Sequence, residues 1–453
     1  MTFPADFIWG AAASAYQIEG ATREDGRGQS VVDMFCRKPG AVWQGHTGEI
    51  SADHYHRYAE DVDLMRRIGL KAYRFSFAWP RVLPVGRGVA NEKGLAFYDR
   101  LIDALLLAGI RPIGTLFHWD LPHDLFCRGG WLNPDSPEWF ADYAQVLADR
   151  FSDRVADWLT INEPQCIAGF GHYTGTQAPG IQLPRAEMLL VGHHLLLAHG
   201  KSVQVIRSHS KQACRIGCAP AGVVSIPKTE SPEDVDVARK VTFSIQPAEF
   251  GQDFWNSVWW IDPMLLGRYP EEGIARFGAD APRIRAGDME TISQPLDFCG
   301  INIYSAASTV CAGTDGNPVR LPAPPGMPRT AFHWPVTPSV LRWGPQFFQE
   351  RYKLPVFVTE NGLSNVDWVA QDGRVHDPQR VDFVRRHLAE LHKAIEAGID
   401  VRGYLYWSFI DNFEWDHGFR ERFGLVHVDY ETGRRVLKDS AGWYAGVIRD
   451  NGI

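Results

Sequence analysis

Apolar residues along this chain fall into two alternating patterns. Short β-branched or aromatic runs alternate with longer stretches whose apolar positions recur three and four residues apart. The short runs predict strands at Phe7–Gly10, Ala72–Ser76, Pro112–His118, Trp158–Glu163, Ile216–Val224, Phe298–Asn302, Val356–Glu360 and Gly403–Trp407. The periodic stretches predict helices over Tyr55–Ile68, Gly94–Ala108, Pro137–Phe151, Glu187–Arg207, Pro232–Glu249 and Pro378–Ala397, with Gly69, Gly109 and Gly398 as stops. Strand and helix alternate without a break, which points to βα units on a parallel sheet. One closed α/β barrel, a single (β/α)8 TIM barrel with long rim loops, accounts for this better than several doubly wound domains. No repeat or linker divides the sequence, so residues 1–453 are read as one catalytic domain.

Four insertions account for the length beyond a minimal barrel: 37–52, 171–184, 305–337 and 411–438. The third is rich in proline and reads as a semi-rigid rim loop. All four are expected to wall one mouth of the barrel. Two of the predicted strands end in an acid followed by a chain breaker, Glu163 before Pro164 and Glu360 before Asn361-Gly362. Such runs read as buried strands delivering a carboxylate to a rim, and a pair of them suggests the machinery that cleaves glycosidic bonds. Active sites of these barrels lie at the C-terminal strand ends. Those ends carry Gln17, Arg74, His118-Trp119, Asn162-Glu163, Asn302 with Tyr304, Glu360 and Trp407.

Composition narrows the setting. A net charge of −8 and the absence of basic runs give no reason to expect nucleic acid or an anionic membrane as a partner. No apolar run approaches transmembrane length, and the N-terminus shows no leader pattern, so the expected compartment is the cytoplasm. Seven cysteines without a Cys-x-x-Cys pair read as reduced thiols, with Cys214 and Cys218 suited to packing rather than metal binding. The sixteen tryptophans offer apolar faces on which sugar rings can stack. No metal site is expected: His118 lacks a second ligand at suitable spacing, His54 and His56 read as surface or capping groups, and His193 and His194 belong to a helix.

The segments Ser14-Ala15-Tyr16-Gln17-Ile18-Glu19-Gly20, Tyr73-Arg74-Phe75-Ser76, His118-Trp119-Asp120-Leu121-Pro122, Thr160-Ile161-Asn162-Glu163-Pro164, Thr359-Glu360-Asn361-Gly362 and Asp411-Asn412-Phe413-Glu414-Trp415 together resemble glycoside hydrolase family 1, the β-glucosidase family. The resemblance covers essentially the whole chain. It implies Glu360 as nucleophile and Glu163 as general acid/base in a retaining mechanism, with Arg74, Asn302 and Tyr304 supporting the nucleophile. It also implies Gln17, His118, Trp119, Asn162, Trp407, Glu414, Trp415 and Phe423 as sugar-binding groups, Asn162 at the 2-OH and Trp407 as the floor. Gln165, Cys166, Gln177 and Trp334 are candidates for the aglycone side. No cofactor is implied, because water and two carboxylates complete the chemistry. The partner is a small-molecule β-glycoside or oligosaccharide, taken up by a monomer or a homo-oligomer. Family members acting on 6-phosphorylated sugars have Ser at the position of Glu414, so its carboxylate argues for unphosphorylated glycosides.

Three positions depart from the family pattern. Gln165 replaces a Trp, Gln177 replaces a His, and Asn302-Ile303-Tyr304 replaces Asn-Tyr-Tyr. The first two bear on the aglycone and none touches the two glutamates. The expected activity is exo-acting hydrolysis of β-glucosides, extending to β-galactosides and β-fucosides. Net sugar transfer to an alcohol is the alternative within enzymes, and a non-catalytic carbohydrate-binding barrel is the alternative outside them.

Overall fold

Eight parallel strands form the centre of the molecule: β1 (Ile8–Ala12), β2 (Ala72–Ser76), β3 (Arg111–Phe117), β4 (Asp157–Asn162), β5 (Arg215–Ala219), β6 (Phe298–Asn302), β7 (Val356–Asn361) and β8 (Val401–Trp407). A computed structural model describes residues 1–245 and 253–453. Each strand pairs with the next in sequence, and β8 returns to β1 in register from Ile8↔Gly403 to Ala12↔Trp407, closing the barrel. All eight expected strands are present. The fifth is shorter than Ile216–Val224: Pro220 follows Ala219 and has no N–H with which to continue the ladder. Ser225–Pro227 instead joins a separate three-stranded sheet.

Both faces of the barrel sheet are covered, which is why the strands read as nearly continuous apolar runs. Ala72, Ile113, Leu159, Phe298, Phe357 and Leu405 belong to an inner cluster that reaches Trp407 and Phe423 at the mouth. Their neighbours Tyr73, Trp158 and Val358 belong to the outer cluster against the helices, as the two-residue period of a strand requires. The predicted helices are found as His54–Ile68, Glu92–Leu107, Ser136–Phe151, Arg185–His209, Pro232–Thr242 and Pro378–Glu396. Gly69 stops the first with φ +83°, a conformation that costs a residue with a side chain far more than glycine. The fifth ends at Thr242 rather than Glu249, and residues 246–249 of that expectation lie outside the described residues. Val340–Tyr352 is helical although Gly344 and Pro345 lie within it. No helix among the described residues is long and apolar enough to cross a membrane.

The insertions have unequal roles. Parts of the second, third and fourth line the central cavity through Gln177, Trp334 and Trp415. The first does not, contrary to expectation: its His46 accepts a hydrogen bond from the Phe419 N–H (3.0 Å) and so buttresses the fourth. The third is more than a loop, since Ser308–Ala312 and Pro318–Leu321 form an antiparallel hairpin within it. His54 is also corrected. It is buried, with Nδ1 2.7 Å from Asp61 Oδ2, whereas His56 is exposed as expected.

A buried ion network fixes the fourth insertion. Lys438 Nζ donates to Asp367 Oδ2 (2.6 Å) and Asp411 Oδ1 (2.7 Å), while Arg380 donates to Asp367 (2.7 Å) and to Asp377. All five side chains are 0% exposed. Burial alone would raise the Asp411 carboxyl, but Lys438 and Arg422 outweigh it and hold it at about 2. Removing one member leaves an uncompensated buried charge, at a cost of about 3–5 kcal/mol. Lys438→Met is therefore expected to lower the urea midpoint by that equivalent at neutral pH. Its deficit should shrink as the pH falls, because Asp367 and Asp411 without the ammonium take up protons more readily; a deficit independent of pH would contradict the network.

Candidate active site

The C-terminal ends of the strands open into a cavity of about 440 Å³ lined by Glu163, Glu360, Asn302, Tyr304, His118 and Trp407, among others. Glu163 follows β4 directly. Its N–H donates to the Ala219 carbonyl (2.9 Å), its φ is +43°, and Pro164 opens a new helical turn after it. A left-handed conformation costs a glutamate roughly 1–2 kcal/mol, and it turns this side chain out of the strand into the cavity. Glu360 lies within β7 at a register shift against β6, opposite Asn302, where an irregular ladder re-aims side chains. Trp119 (φ +77°) and Trp415 (φ +46°) are strained in the same sense on the same rim.

Arg74 joins the parts. It is 1% exposed, and its Nη1 donates to Glu360 Oε1 (2.7 Å) while Nη2 donates to Asn162 Oδ1 (2.6 Å) and Nε to Thr115 Oγ1 (3.0 Å). The Tyr304 hydroxyl donates to the other oxygen, Glu360 Oε2 (2.6 Å). Asn302 Nδ2 donates to Asn162 Oδ1 (3.0 Å) and to Glu163 Oε1 (3.0 Å). Arg74 bonds both Glu360 and Asn162, so one chain of hydrogen bonds joins the two carboxyls.

Electrostatics separates the two acids. Burial pushes Glu163 up, the charge of Glu360 adds to it, and the result is about 8. Burial also raises Glu360, but Arg74 and Tyr304 oppose it there by charge and hydrogen bond. The first proton lost by the pair therefore leaves Glu360. Tyr304 is held well above the usual phenol range by burial and by Glu360, so it remains a donor.

His118 is buried, and burial followed by the charge of Arg74 depresses its basicity well below the usual imidazole range. Its Nε2 accepts from Asn162 Nδ2 (3.2 Å), so the neutral ring carries its proton on Nδ1. The ring lies nearly parallel to Trp407 (5.7 Å, 16°), and Trp119 packs on Trp415 (4.5 Å). Trp119 Nε1 donates to the Asn162 carbonyl (2.9 Å). Glu414 and Phe423 line the same cavity. Gln17 is wholly buried behind Glu414, with Nε2 3.2 Å from Glu414 Oε2 and 2.9 Å from the Phe413 carbonyl. Burial, then the charges of Asp416 and Glu421, push the Glu414 carboxyl well above the usual range.

The aglycone candidates divide. Gln177, Trp334 and Cys166 line the cavity, and Cys166 Sγ donates to Glu163 Oε2 (3.5 Å). Gln165 does not. It is 0% exposed and turned beneath the rim, where its Nε2 donates to the Ala221 carbonyl (2.9 Å). Phe170, Trp255, Phe332, Asp416 and His417 line the cavity without having been singled out in the sequence. Asp416 and His417 adjoin the Glu414-Trp415 motif, a signal that could have found them; Phe170 and Trp255 lie in segments with no motif of their own.

Comparison with known proteins agrees in family and fold. The model for glycosyl hydrolase family 1 matches residues 1–453. A 1,4-beta-D-glucan glucohydrolase of Thermotoga neapolitana is 41% identical over 453 residues, covering 100% of this chain and 99% of that protein. Beta-glucosidase A of Thermotoga maritima is 40% identical over 452 residues, covering 100% and 98%. A solved structure of a beta-glucosidase from Thermotoga maritima with glucoimidazole superposes with a TM-score of 0.90 at 40% identity, covering 100% of each chain.

The carboxyl pair gives a direct prediction. Glu360→Gln removes the neighbouring negative charge, so the Glu163 carboxyl should fall from about 8 toward the ordinary glutamate value, while burial keeps it above that value. Carbon-13 NMR titration of the Glu163 side chain reads this. A value that stays near 8 would show that Glu360 does not act on Glu163.

Proposed function

The chain belongs to glycosyl hydrolase family 1, and from that membership we propose that it is a retaining β-glucosidase with Glu360 as nucleophile and Glu163 as acid/base. It releases the non-reducing terminal glucosyl residue of aryl and alkyl β-glucosides and of cello-oligosaccharides, and accepts β-galactosides and β-fucosides as well. The single observation that carries the assignment is the hydrogen-bonded chain Glu360–Arg74–Asn162–Asn302–Glu163, in which Glu360 also holds Tyr304. The names of the relatives, a glucan glucohydrolase and a β-glucosidase, favour hydrolysis over net sugar transfer. Residues 1–453 work as one catalytic unit, in a cytoplasm whose reducing conditions suit seven unpaired cysteines.

In the first step a Glu360 oxygen attacks the anomeric carbon, the bond to the aglycone oxygen breaks, and Glu163 gives that oxygen its proton. Glycosylation removes the charge of Glu360, so Glu163, now ionised, loses the neighbour that opposed its charge. It then takes a proton from water, which attacks the anomeric carbon as the bond to Glu360 breaks. Two inversions leave the β configuration. Asn162, fixed by Arg74 and Asn302, holds the sugar 2-OH, a bond that strengthens in the oxocarbenium-like transition state. Glu414, positioned by Gln17 behind it, takes a further hydroxyl, and Trp407 receives the apolar face of the ring.

A phosphorylated sugar is disfavoured for a broader reason than Glu414 alone. Glu163, Glu360, Glu414 and Asp416 all line the cavity, and no lysine or arginine does so among the described residues. A phosphate dianion would therefore meet carboxyl groups without a cation to neutralise it.

The profile of kcat/KM against pH should be bell-shaped, falling at low pH as Glu360 is protonated and at high pH through about 8 as Glu163 loses its proton. Glu360→Gln should lose more than about 10³-fold in kcat. Glu163→Ala should lose about 10²–10⁴-fold on alkyl glucosides, much less in glycosylation by an activated aryl glucoside, and turn over faster with added azide. An unchanged rate in Glu360→Gln, or no azide response in Glu163→Ala, would overturn the respective role.

A further inference from the structure

The cavity holds one carboxylate that the mechanism does not use. Asp416 belongs to the short turn Trp415–His417 on the loop after β8, with a side chain 31% exposed at the mouth. Gln177, on the loop after β4, and Asp416, on the loop after β8, line the cavity together. Two aromatic pairs line the same cavity: Phe170 with Trp255 (5.5 Å) and Phe332 with Trp334 (4.6 Å).

Among the described residues, no lysine or arginine forms an ion pair with Asp416. Arg420 is turned away, with Nε on Glu421 (2.9 Å) and Nη2 donating to His417 Nδ1 (2.6 Å). His417 Nε2 lies 3.7 Å from Asp416 Oδ2, beyond hydrogen-bond reach, and the ring packs on Phe332 (4.4 Å). A carboxylate in a cavity lined by aromatic side chains, and by no lysine or arginine among the described residues, is the arrangement that attracts an organic cation.

We propose that Asp416 determines aglycone specificity, forming with Phe170, Trp255, Phe332 and Trp334 a subsite for aryl aglycones that carry a protonated amine and excluding those that carry a carboxylate. The inference rests on the β-glucosidase reading and extends it to the far side of the scissile bond. An ammonium group placed there gains the charge of Asp416 and the aromatic faces together. A carboxylate placed there meets a like charge with no compensating donor cation. The Gln177 amide, on the same cavity lining, adds a neutral polar contact for the aglycone.

The test compares three β-D-glucosides of one phenol skeleton: 4-(2-ammonioethyl)phenyl, 4-ethylphenyl and 4-(2-carboxyethyl)phenyl. Two methylenes separate the charge from the phenol and keep the leaving groups closely matched. The native enzyme is expected to show kcat/KM in the order ammonium, ethyl, carboxylate, with about tenfold or more between the ends. Within-enzyme ratios do not depend on how much of a variant folds. Asp416→Asn should compress the series to about threefold or less, and Asp416→Lys should reverse it. A flat series in the native enzyme, or the native ratio surviving in Asp416→Asn, overturns the role of Asp416. Failure of the native enzyme to cleave the uncharged 4-ethylphenyl glucoside overturns the glucosidase reading instead.

Discussion

Arg74 projects from β2 into the barrel mouth, out of contact with water, with its charge 2.7 Å from Glu360 and its remaining donors on Asn162 and Thr115. A guanidinium in that position is stable only if a carboxylate stays opposite it, because an unpaired buried charge costs several kcal/mol. The pair therefore keeps Glu360 ionised as a condition of folding. It also fixes the neighbours: Asn162 is oriented by Nη2, Asn302 is tied to Asn162, and Asn302 in turn reaches Glu163. Glu163 receives the opposite treatment. It has burial, a negative neighbour and no cation of its own, so it retains its proton. Two identical side chains thus take unequal parts through environment alone.

The rim is built on the same economy of buried charge. Lys438 and Arg380 collect Asp367, Asp377 and Asp411 beneath the loop that presents Glu414, Trp415 and Asp416. Asp411 also accepts the Gly424 N–H (2.9 Å) next to Phe423, so the network and the cavity wall share backbone. Backbone strain recurs on this rim, where Glu163, Trp119 and Trp415 leave the regular path of the chain. A scaffold of closed parallel strands supplies the stability that holds such conformations in place.

Much of this was legible in the sequence, for physical reasons. A strand buried on both faces reads as an apolar run, and an acid followed by proline or glycine marks the end where it meets the cavity, which is how Glu163 and Glu360 stood out. The closed barrel followed from strict alternation. What escaped were features decided by how a loop folds back. Gln165 follows the motif by one residue, yet the helical turn opened by Pro164 points it beneath the rim to Ala221. The insertion over 37–52 has the length of a wall but serves as a prop, through a backbone bond to His46 that no local pattern encodes. Helix periodicity overran Thr242, and His54 gave no linear sign that its partner is Asp61, about two turns on along the same helical face.

The central claim is that this environment makes Glu360, and not Glu163, the group that bonds to the sugar. An activated 2-deoxy-2-fluoro-β-D-glucoside slows release of the glycosyl-enzyme more than its formation, and peptide mass spectrometry then locates the attached sugar. The account predicts one sugar per chain, on the peptide containing Thr359-Glu360-Asn361. A sugar on the peptide containing Glu163, or inactivation without any covalent adduct, would contradict it.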